Sequence, residues 1–339
     1  MRHLLSPTSL SPERTRELLN MADQLKLNRF GDALKNKSVG MVFFNPSLRT
    51  RTSMDIATHE LGGHPLTLNI GQGTWSLEHR EGAVMDGDYA EHIKDAARVL
   101  SRYVDVLAVR AFPERKSWGI DRQDPIIEGF AKYATVPVIN LEGAMHHPCQ
   151  GLADIMTIRE RIGEPKAQPI AITWAWHPKA LPMAVPNSIL LEAAKAGMDI
   201  RLAHPKGWEL DDEIMQTAQT LATGQGGGLR VVHSMDEAVD GAKVVYAKSW
   251  GSIQHYRSPE DETRLKMSLR NTWRVSESHM AKTDNGIFMH CLPVRRGVVV
   301  DDAVIDSPQS AVYDEAENRL HVQKAILASI ASSNAQTNT

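Results

Sequence analysis

The stretch SVGMVFFNPSLRTRTSMDIATHELGG, Ser38–Gly63, joins an apolar run to a polar loop and a helix-like segment. The apolar run predicts a buried strand. The loop that follows, Asn45–Ser53, crowds two arginines and four hydroxyl residues into nine positions. A helix that begins after such a loop directs its backbone N–H groups and the positive end of its dipole at the carboxyl end of the strand. The stretch therefore predicts a parallel α/β unit that binds an anion, although the loop alone would also fit a helix start with two solvated arginines.

Strand-like and helix-like segments alternate along the rest of the chain. VDVLAVRAF (104–112) and TVPVINLE (135–142) predict two further short strands, and the series restarts at AQPIAITWAW (167–176). Two consecutive β/α series predict an α/β protein with two parallel-sheet domains. The glycine-rich TGQGGG (223–228) predicts a turn after a helix, because it lacks the G-x-G-x-x-G spacing of a dinucleotide site.

Both ends of the chain carry helix signals. Ser11 followed by Pro12 is a good N-cap and first-turn pair for a helix. EAENRLHVQKAILASIAS (315–332) predicts a long helix, and SNAQTNT (333–339) predicts a disordered tail.

Length and composition narrow the class of protein. The 339 residues exceed the length at which a single core stops growing, roughly 250–300 residues, so two domains are expected. With 38 lysines and arginines against 41 aspartates and glutamates, the formal net charge is −3, which offers no footprint for nucleic acid. No apolar run approaches the roughly 18 residues of a membrane span, and the amino terminus does not resemble a secretory signal. A cytoplasmic enzyme is therefore expected.

The two cysteines, Cys149 and Cys291, are far apart in the sequence. This spacing argues against a disulfide scaffold and against a cysteine-based zinc site. A metal site formed by His146, His147 and Cys149 is conceivable, but neighbouring residues diverge on any regular element, which makes that alternative weak.

Four ordered segments resemble one known family. SLRTRTS (47–53) resembles the Ser-x-Arg-Thr-Arg loop that binds carbamoyl phosphate in the aspartate and ornithine carbamoyltransferases. HPCQGLADIMTI (147–158) resembles the segment that joins their two domains. VRAF (109–112) supplies an arginine in the right order, and HCLPVRR (290–296) resembles the His-Cys-Leu-Pro loop of the ornithine branch. The resemblance covers nearly the whole chain.

The resemblance implies an architecture and an assembly. A carbamoyl-phosphate-binding domain is expected over residues 1–150, joined by the carboxyl-terminal helix at about 315–333, and an acylornithine-binding domain over residues 151–314. The family forms homotrimers with active sites shared between subunits, and it needs no metal or organic cofactor. The segment WHPKALPMAVPNS (176–188) resembles a proline-rich loop through which the chain threads to form a knot, which ordinary folds avoid.

The family's chemistry explains the residue types. Carbamoyl phosphate carries a dianionic phosphate, and attack by a neutral amine on its carbonyl creates an oxyanion that the protein must stabilise. The departing phosphate can accept the proton, so no dedicated general base is required. The resemblance assigns the following residues to carbamoyl phosphate: Ser47, Leu48, Arg49, Thr50, Trp75, Arg110, His147, Gln150, Leu292 and Arg319. It assigns catalysis to Arg49, Thr50, Arg110, His147, Gln150 and Cys291.

Within these sets the resemblance implies distinct roles. Arg110, His147 and Thr50 are expected at the carbonyl oxygen, and Gln150 is expected at the carbamoyl nitrogen. Taken alone, His147 would fit a buried structural histidine. Cys291 would likewise fit a small apolar residue, and nothing indicates a covalent nucleophile.

The acceptor amine is indicated by a departure from the ornithine enzymes. Those enzymes carry an aspartate a few residues before a Ser-Met-Gly loop, and the pair binds the free α-amino group. The corresponding stretch here, VVYAKSWGS (244–252), has Lys248 and no such acid, which disfavours an α-ammonium and favours a carboxylate. This pattern resembles the N-acylornithine carbamoyltransferases of arginine biosynthesis. GTWSLE (73–78), with Trp75, resembles the loop that these enzymes extend into a neighbouring subunit's site.

The acyl group of the acceptor depends on fewer positions. N-acetylornithine enzymes typically carry a glutamate at the position of Ala90 and a lysine at that of Val299, and both are missing here. An alanine leaves room for a succinyl carboxylate, so N-succinylornithine is favoured and N-acetylornithine is the alternative. A neutral surface change at Ala90 would also explain the difference. The residues expected to bind the acceptor are Ala90, Glu142, His177, Lys179, Lys248, Cys291, Leu292 and Arg295.

A non-enzymatic function is also compatible with the sequence. The chain could be a carbamoyltransferase-like protein that has lost activity and serves as a binding partner. The presence of Arg49, Arg110 and His147 argues for retained catalysis.

Overall fold

The computed structural model describes residues 2–336, which fold into two compact units. The first unit contains the chain up to Glu114, then Gly119–Cys149, and then the part from Arg319 onwards. The second unit contains Arg115–Trp118 and Gln150–Asn318. Relative to the boundaries expected from the sequence, the structure assigns the last residue of 1–150 to the second unit. It also returns the chain to the first unit four residues later than position 315.

The secondary structure alternates along most of the chain. The strands are β1 (Ser38–Phe43), β2 (His64–Asn69), β3 (Leu77–Glu78), β4 (Glu91–His92), β5 (Val106–Arg110), β6 (Val138–Glu142), β7 (Pro169–Trp174), β8 (Asp199–Ala203), β9 (Gly228–Val232), β10 (Val244–Lys248) and β11 (Ile287–Met289). The helices are α1 (Pro12–Leu27), α2 (Arg49–Glu60), α3 (Ile93–Leu100), α4 (Trp118–Asp121), α5 (Pro125–Tyr133), α6 (Pro148–Ile162), α7 (Ala184–Lys195), α8 (Asp212–Gln225), α9 (Met235–Val239), α10 (Pro259–Ser268), α11 (Glu277–Met280), α12 (Asp302–Ile305) and α13 (Val312–Gln336). Two short 3₁₀ helices occupy Pro7–Ser9 and Ile253–Tyr256.

The first unit is built on a parallel sheet with the strand order β2-β1-β5-β6. Val42 and Val109 project from neighbouring strands into one apolar cluster, where they join Ile93 of α3 and Phe130 of α5. All four side chains are almost completely buried, as expected for a parallel sheet covered by helices. Because the strands are parallel, the loops that follow β1, β5 and β6 emerge at the same edge of the sheet.

The second unit is built on a parallel sheet with the strand order β11-β10-β7-β8-β9. Together the two sheets confirm the predicted fold class, an α/β protein with two parallel-sheet domains. The strands predicted in the three apolar runs at 104–112, 135–142 and 167–176 are β5, β6 and β7. Strands β2, β10 and β11 were not predicted.

Local signals at helix ends agree with the structure. Ser11 Oγ accepts a hydrogen bond from the Arg14 backbone N–H at 3.3 Å, and Pro12 is the first residue of α1. The predicted turn after α8 is present, where Gly226 adopts a left-handed φ of 78° that suits glycine. Helix α13 extends to Gln336 and so includes the first four residues of the predicted tail, and 337–339 lie outside the described residues. No helix in residues 2–336 is long and apolar enough to cross a membrane.

Candidate active site

The loop between β1 and α2 brings hydroxyl and guanidinium groups to a helix start. Ser47 Oγ accepts a hydrogen bond from the Thr50 backbone N–H at 3.2 Å, which orders the turn that leads into α2. Leu48 is 75% exposed, so its side chain makes little packing contact. The group that this residue offers to a ligand is its backbone N–H. Arg49 is half-buried and is the first residue of α2. The arrangement suits an anion at the amino-terminal end of the helix.

Arg319 lies beside the same helix start. Its Nη2 atom donates a hydrogen bond to Thr50 Oγ1 at 3.0 Å, and both side chains are buried. The contact joins α13 to α2 within the first unit. The structure therefore brings together four of the residues expected at the phosphate: Ser47, Arg49, Thr50 and Arg319.

Arg110 and Glu142 form a largely buried ion pair at the ends of β5 and β6, and His147 lies beside it. Arg110 Nη1 lies 2.5 Å from Glu142 Oε2, and His147 Nε2 lies 3.7 Å from the same oxygen. The Arg110 guanidinium also stacks on Phe112, 4.5 Å from its ring centroid. Glu142, which sequence reasoning assigned to the acceptor, thus lies in the first unit against two residues assigned to the carbamoyl group. An ion pair buried in this way needs both partners, because removing one leaves an uncompensated charge.

Asp124 supports the turn that leads to His147. Its carboxylate accepts hydrogen bonds from the backbone N–H groups of Ala144 and Met145, the latter at 3.0 Å. A Cβ atom at Gly143 would overlap this carboxylate, so glycine is required there. Burial raises the pKa of Asp124 to about 7, against the lowering effect of the two backbone hydrogen bonds. Sequence reasoning missed this residue, because 20 positions separate it from the turn.

The neighbours of His147 do not form a metal site. Burial lowers the pKa of His146 to about 4 and raises the pKa of Cys149 to about 11, so both side chains are neutral near pH 7. Cys149 Sγ points at the Asn140 carbonyl oxygen, 3.8 Å away. In the described part of the chain, residues 2–336, no group of three or more His, Cys, Asp or Glu side chains is placed to hold a metal ion.

Gln150 begins the part of α6 that belongs to the second unit. Its Nε2 atom donates to Asp154 Oδ1 at 2.7 Å and to Glu315 Oε1 at 2.9 Å. All three side chains are buried. Asp154 lies within the motif at 147–158, but the sequence predicted no role for it or for Glu315. The spacing of four residues between Gln150 and Asp154 on one helix was the available signal.

The loop after β11 carries Cys291 and Leu292. The His290 backbone N–H donates to Glu315 Oε2 at 2.9 Å, and the Leu292 backbone N–H donates to His290 Nδ1 at 2.9 Å. Leu292 adopts a φ of 50° and precedes a cis proline. Cys291 is partly exposed. These contacts fix the backbone of the loop at the end of a parallel strand, where loops of such sheets commonly bind ligands.

A cationic group lies on the second unit around His177. Arg295 Nε donates to His177 Nε2 at 2.9 Å, and His177 Nδ1 donates to the Lys179 carbonyl oxygen at 3.0 Å. Burial, together with the positive charges of Arg295 and Lys248, lowers the pKa of His177 to about 4. The neutral imidazole therefore serves as an acceptor that positions Arg295. The structure thus groups four of the residues expected to bind the acceptor: His177, Lys179, Lys248 and Arg295.

Trp75 and Ala90 lie in the irregular part of the first unit between β2 and α3. Trp75 is 67% exposed, and Ala90 is exposed immediately before β4. Neither side chain packs into the core of the first unit. Val299 is only 2% exposed, so this position carries an apolar packing side chain.

Comparison with known proteins gives consistent matches over both units. Residues 2–160 match the family model described as aspartate/ornithine carbamoyltransferase, carbamoyl-P binding domain. Residues 171–330 match the model described as aspartate/ornithine carbamoyltransferase, Asp/Orn binding domain.

Two relatives illustrate the similarity. The chain is 46% identical over 333 residues to the N-acetylornithine carbamoyltransferase of Xanthomonas campestris pv. campestris, covering 97% of this chain and 98% of the relative. It is 39% identical over 287 residues to the N-succinylornithine carbamoyltransferase of Bacteroides thetaiotaomicron, covering 84% of each. Both matches cover most of the chain and are therefore not limited to isolated motifs.

A solved structure is also closely similar. It is a glutamate-to-alanine variant of N-acetyl-L-ornithine transcarbamylase, complexed with carbamyl phosphate and N-succinyl-L-norvaline. The TM-score is 0.95 at 45% identity, and the match covers 97% of this chain and all of the other.

Proposed function

Since the chain belongs to the aspartate/ornithine carbamoyltransferase family, we propose that it transfers the carbamoyl group of carbamoyl phosphate to the δ-amine of an N-acylornithine. The products are an N-acylcitrulline and phosphate, as required for a step of arginine biosynthesis. Carbamoyltransferase activity follows from the family. The acceptor and the role of each residue are proposed.

The first unit supplies the groups for carbamoyl phosphate. Ser47, the Leu48 N–H, Arg49, Thr50 and Arg319 bind the phosphate, and Trp75 completes the site from a neighbouring subunit of a homotrimer. Support comes from the hydrogen bonds that join Ser47, Thr50 and Arg319 at the start of α2. Fixed donors at a helix start need no reorganisation as charge shifts to the phosphate during reaction.

The transfer itself follows from charge. The neutral δ-amine attacks the carbonyl carbon, and the resulting oxyanion is stabilised by Arg110, His147 and Thr50, with Gln150 at the carbamoyl nitrogen. The bond from carbon to the phosphate oxygen then breaks, and the departing phosphate accepts the proton of the amine. Arg110 pairs with Glu142 Oε2, which fixes the position of the guanidinium, and His147 Nε2 lies 3.7 Å from the same carboxylate oxygen.

The cationic group around His177 carries the choice of acceptor. Lys179, Lys248 and Arg295, grouped around the neutral His177, present positive charge where an ornithine enzyme needs an acid for the α-ammonium. An acylated α-nitrogen is neutral, so the acceptor presents only carboxylates to this group, and opposite charges attract. Cys291 and the Leu292 carbonyl line the path of the attacking amine.

We further propose N-succinylornithine as the preferred acceptor. Ala90 leaves the acyl end of the site without a negative charge, and the cations around His177 can neutralise two carboxylates. A glutamate-to-alanine variant of an N-acetylornithine enzyme that holds N-succinyl-L-norvaline supports the principle that losing one carboxylate admits a succinyl arm.

N-acetylornithine is the second candidate. The higher overall identity, 46% against 39%, favours it. Overall identity averages every position of the chain, whereas acyl specificity depends on the few side chains that contact the acyl arm. The residue at position 90 is therefore stronger evidence for the acyl group than the overall sequence identity.

One experiment tests the acceptor. The purified protein is supplied with carbamoyl phosphate and, separately, with ornithine, N-acetylornithine and N-succinylornithine at equal concentration, and phosphate release and the citrulline product are measured. We expect kcat/KM to be highest for N-succinylornithine and lowest for ornithine, by at least about tenfold, which corresponds to about 1.4 kcal/mol. A preference for ornithine would overturn the N-acylornithine proposal. Absence of phosphate release with every acceptor would favour an inactive carbamoyltransferase-like binding protein.

A further inference from the structure

The carboxamide of Gln150 is held by two buried carboxyl groups. Its Nε2 atom lies 2.7 Å from Asp154 Oδ1 and 2.9 Å from Glu315 Oε1. A primary amide nitrogen has two hydrogens, and carboxyl oxygens are the natural acceptors for both. The other polar atom of the side chain, Oε1, can only accept hydrogen bonds. The two carboxyl groups therefore determine which end of the amide is a donor and which is an acceptor.

Further contacts fix Glu315 in place. Its Oε2 atom accepts the His290 backbone N–H at 2.9 Å, and its Oε1 atom lies 3.4 Å from the Tyr246 hydroxyl. One turn later on α13, Asn318 Nδ2 donates to Thr157 Oγ1 at 2.9 Å. These bonds connect α13 to α6, β10 and the loop after β11. Glu315 thus joins Gln150 to the backbone that leads into Cys291.

Burial and the neighbouring Asp154 carboxylate disfavour the ionised form of Glu315. Burial, the neighbouring Asp154 carboxylate and a hydrogen bond with it raise the pKa of Glu315 well above its ordinary value. Two ionised carboxyl groups in a buried site repel each other strongly, so the pair favours the protonated form of Glu315 relative to an exposed glutamate. Burying two carboxyl groups side by side costs free energy of folding. A role beyond packing would explain why the chain keeps them.

We propose that Asp154 and Glu315 are positioning residues that aim the Gln150 carboxamide oxygen at the carbamoyl nitrogen of the substrate. The inference rests on the proposed function, in which Gln150 binds that nitrogen. A carbamoyl NH₂ group is a donor, so only the oxygen end of the amide can bind it. If the amide turned over, its NH₂ would face the substrate's NH₂, and no hydrogen bond would form. Both carboxyl groups act on the substrate only through Gln150.

The test is a double-mutant cycle on a measured rate. Asp154→Ala, Glu315→Ala and Gln150→Ala are made singly, and each carboxyl change is combined with Gln150→Ala. We expect each single change to lower kcat/KM for carbamoyl phosphate about 10- to 100-fold, as for the loss of a buried hydrogen-bond partner. In the Gln150→Ala background the carboxyl changes should have less than about a threefold further effect, because groups that act through one another are not additive.

A second measurement separates positioning from a structural role. Glu315→Gln keeps one acceptor oxygen for Gln150, although its NH₂ then faces the His290 backbone N–H, so it should retain part of the activity that Glu315→Ala loses. Binding of carbamoyl phosphate, measured by calorimetry, should weaken in the alanine variants, whereas binding of inorganic phosphate, which lacks the carbamoyl group, should not change. Asp212→Asn, an exposed carboxylate at the start of α8 in the same unit, is the matched control and should match the wild type in each measurement.

The outcomes distinguish the inference from the function on which it rests. Wild-type turnover with fully additive effects in the cycle, or equal weakening of carbamoyl phosphate and inorganic phosphate binding, would overturn the positioning role alone. If the carboxyl-to-alanine variants fail to fold, Glu315→Gln measured with and without Gln150→Ala decides, since glutamine preserves the size of the Glu315 side chain. A wild-type protein that neither binds nor turns over carbamoyl phosphate would overturn the proposed function and this inference together.

Discussion

Arg319 donates a hydrogen bond from its Nη2 atom to Thr50 Oγ1 at 3.0 Å across 269 positions of sequence. Both residues are buried, and Thr50 also donates its backbone N–H to Ser47 Oγ. The bond ties the returning carboxyl-terminal helix to the loop that opens α2. A guanidinium held beside a helix start is a preorganised site for phosphate.

This bond predicts the behaviour of paired variants. Thr50→Ser keeps the hydroxyl that accepts from Arg319 and should retain more activity than Thr50→Val. Arg319→Lys keeps the charge but loses the planar fork, so we expect kcat/KM for carbamoyl phosphate to fall about tenfold or more. Steady-state kinetics with varied carbamoyl phosphate provide the measurement. Equal activity of Thr50→Ser and Thr50→Val would show that the hydroxyl has no such role.

Arg49 is expected to be indispensable. Arg49→Ala removes a charge-assisted contact to the phosphate that strengthens in the transition state, and kcat/KM should fall on the order of 10²-fold or more. Arg16→Ala, an arginine exposed on α1, is the matched control and should behave as the wild type. Near-normal turnover by Arg49→Ala would remove this residue from the site.

Trp75 is expected to act in a neighbouring subunit. Its side chain is 67% exposed on its own subunit, as an intersubunit contact would require. Mixed trimers of a Trp75→Ala chain and an Arg49→Ala chain should recover part of the activity, because some composite sites contain both intact residues. Trimers of each single variant, measured in parallel, are the controls. No recovery in verified mixed trimers would count against a shared site.

Ala90 is expected to select the acyl group. Ala90→Glu would place a carboxylate beside the distal carboxylate of N-succinylornithine, with a repulsion of up to about 4 kcal/mol at roughly 4 Å and an effective dielectric near 20. Even about 1.4 kcal/mol is a tenfold change, so kcat/KM for N-succinylornithine should fall far more than that for N-acetylornithine. The comparison requires both substrates with wild type and variant, and circular dichroism to check folding. Equal losses with both substrates, or a wild type that prefers N-acetylornithine, would assign the acetyl group instead.

His177 predicts a pH-dependent contribution to stability. Its folded pKa, about 4, lies below the ordinary value of 6.5, so the unfolded chain binds more protons between these values. The stabilisation by neutral His177 is present above the unfolded pKa and is lost as the pH falls towards the folded pKa. We therefore expect His177→Gln to gain stability relative to the wild type as the pH falls from 6.5 towards 4.

The measurement is the difference in Tm between His177→Gln and the wild type at several pH values. Using the difference matters because the raised pKa of Asp124, about 7, gives wild-type stability an opposite slope between the ordinary carboxyl pKa and neutrality. This second contribution is common to both proteins and cancels. A Tm difference that stays constant over the whole range would contradict the lowered pKa of His177.

Local sequence patterns determined the class of the fold. A strand such as β1 is apolar throughout because both faces of a parallel sheet are covered, and this is visible in six consecutive residues. The long helix α13 and the cap at Ser11 are likewise properties of neighbouring residues. Strand β2 escaped prediction because it lies at the edge of its sheet, where exposed and half-buried residues weaken the apolar signal.

The site residues could be named from their motifs, but their arrangement depends on tertiary structure. Gln150 and Glu315 are 165 positions apart, and His177 and Arg295 are 118 positions apart. Motif spacing cannot reveal that a carboxyl group on a distant helix sets the orientation of an amide, or that a histidine stays neutral to accept from an arginine. Such relationships arise only when packing brings the side chains within about 3 Å and excludes water, because hydrogen-bond geometry and burial are properties of the assembled core.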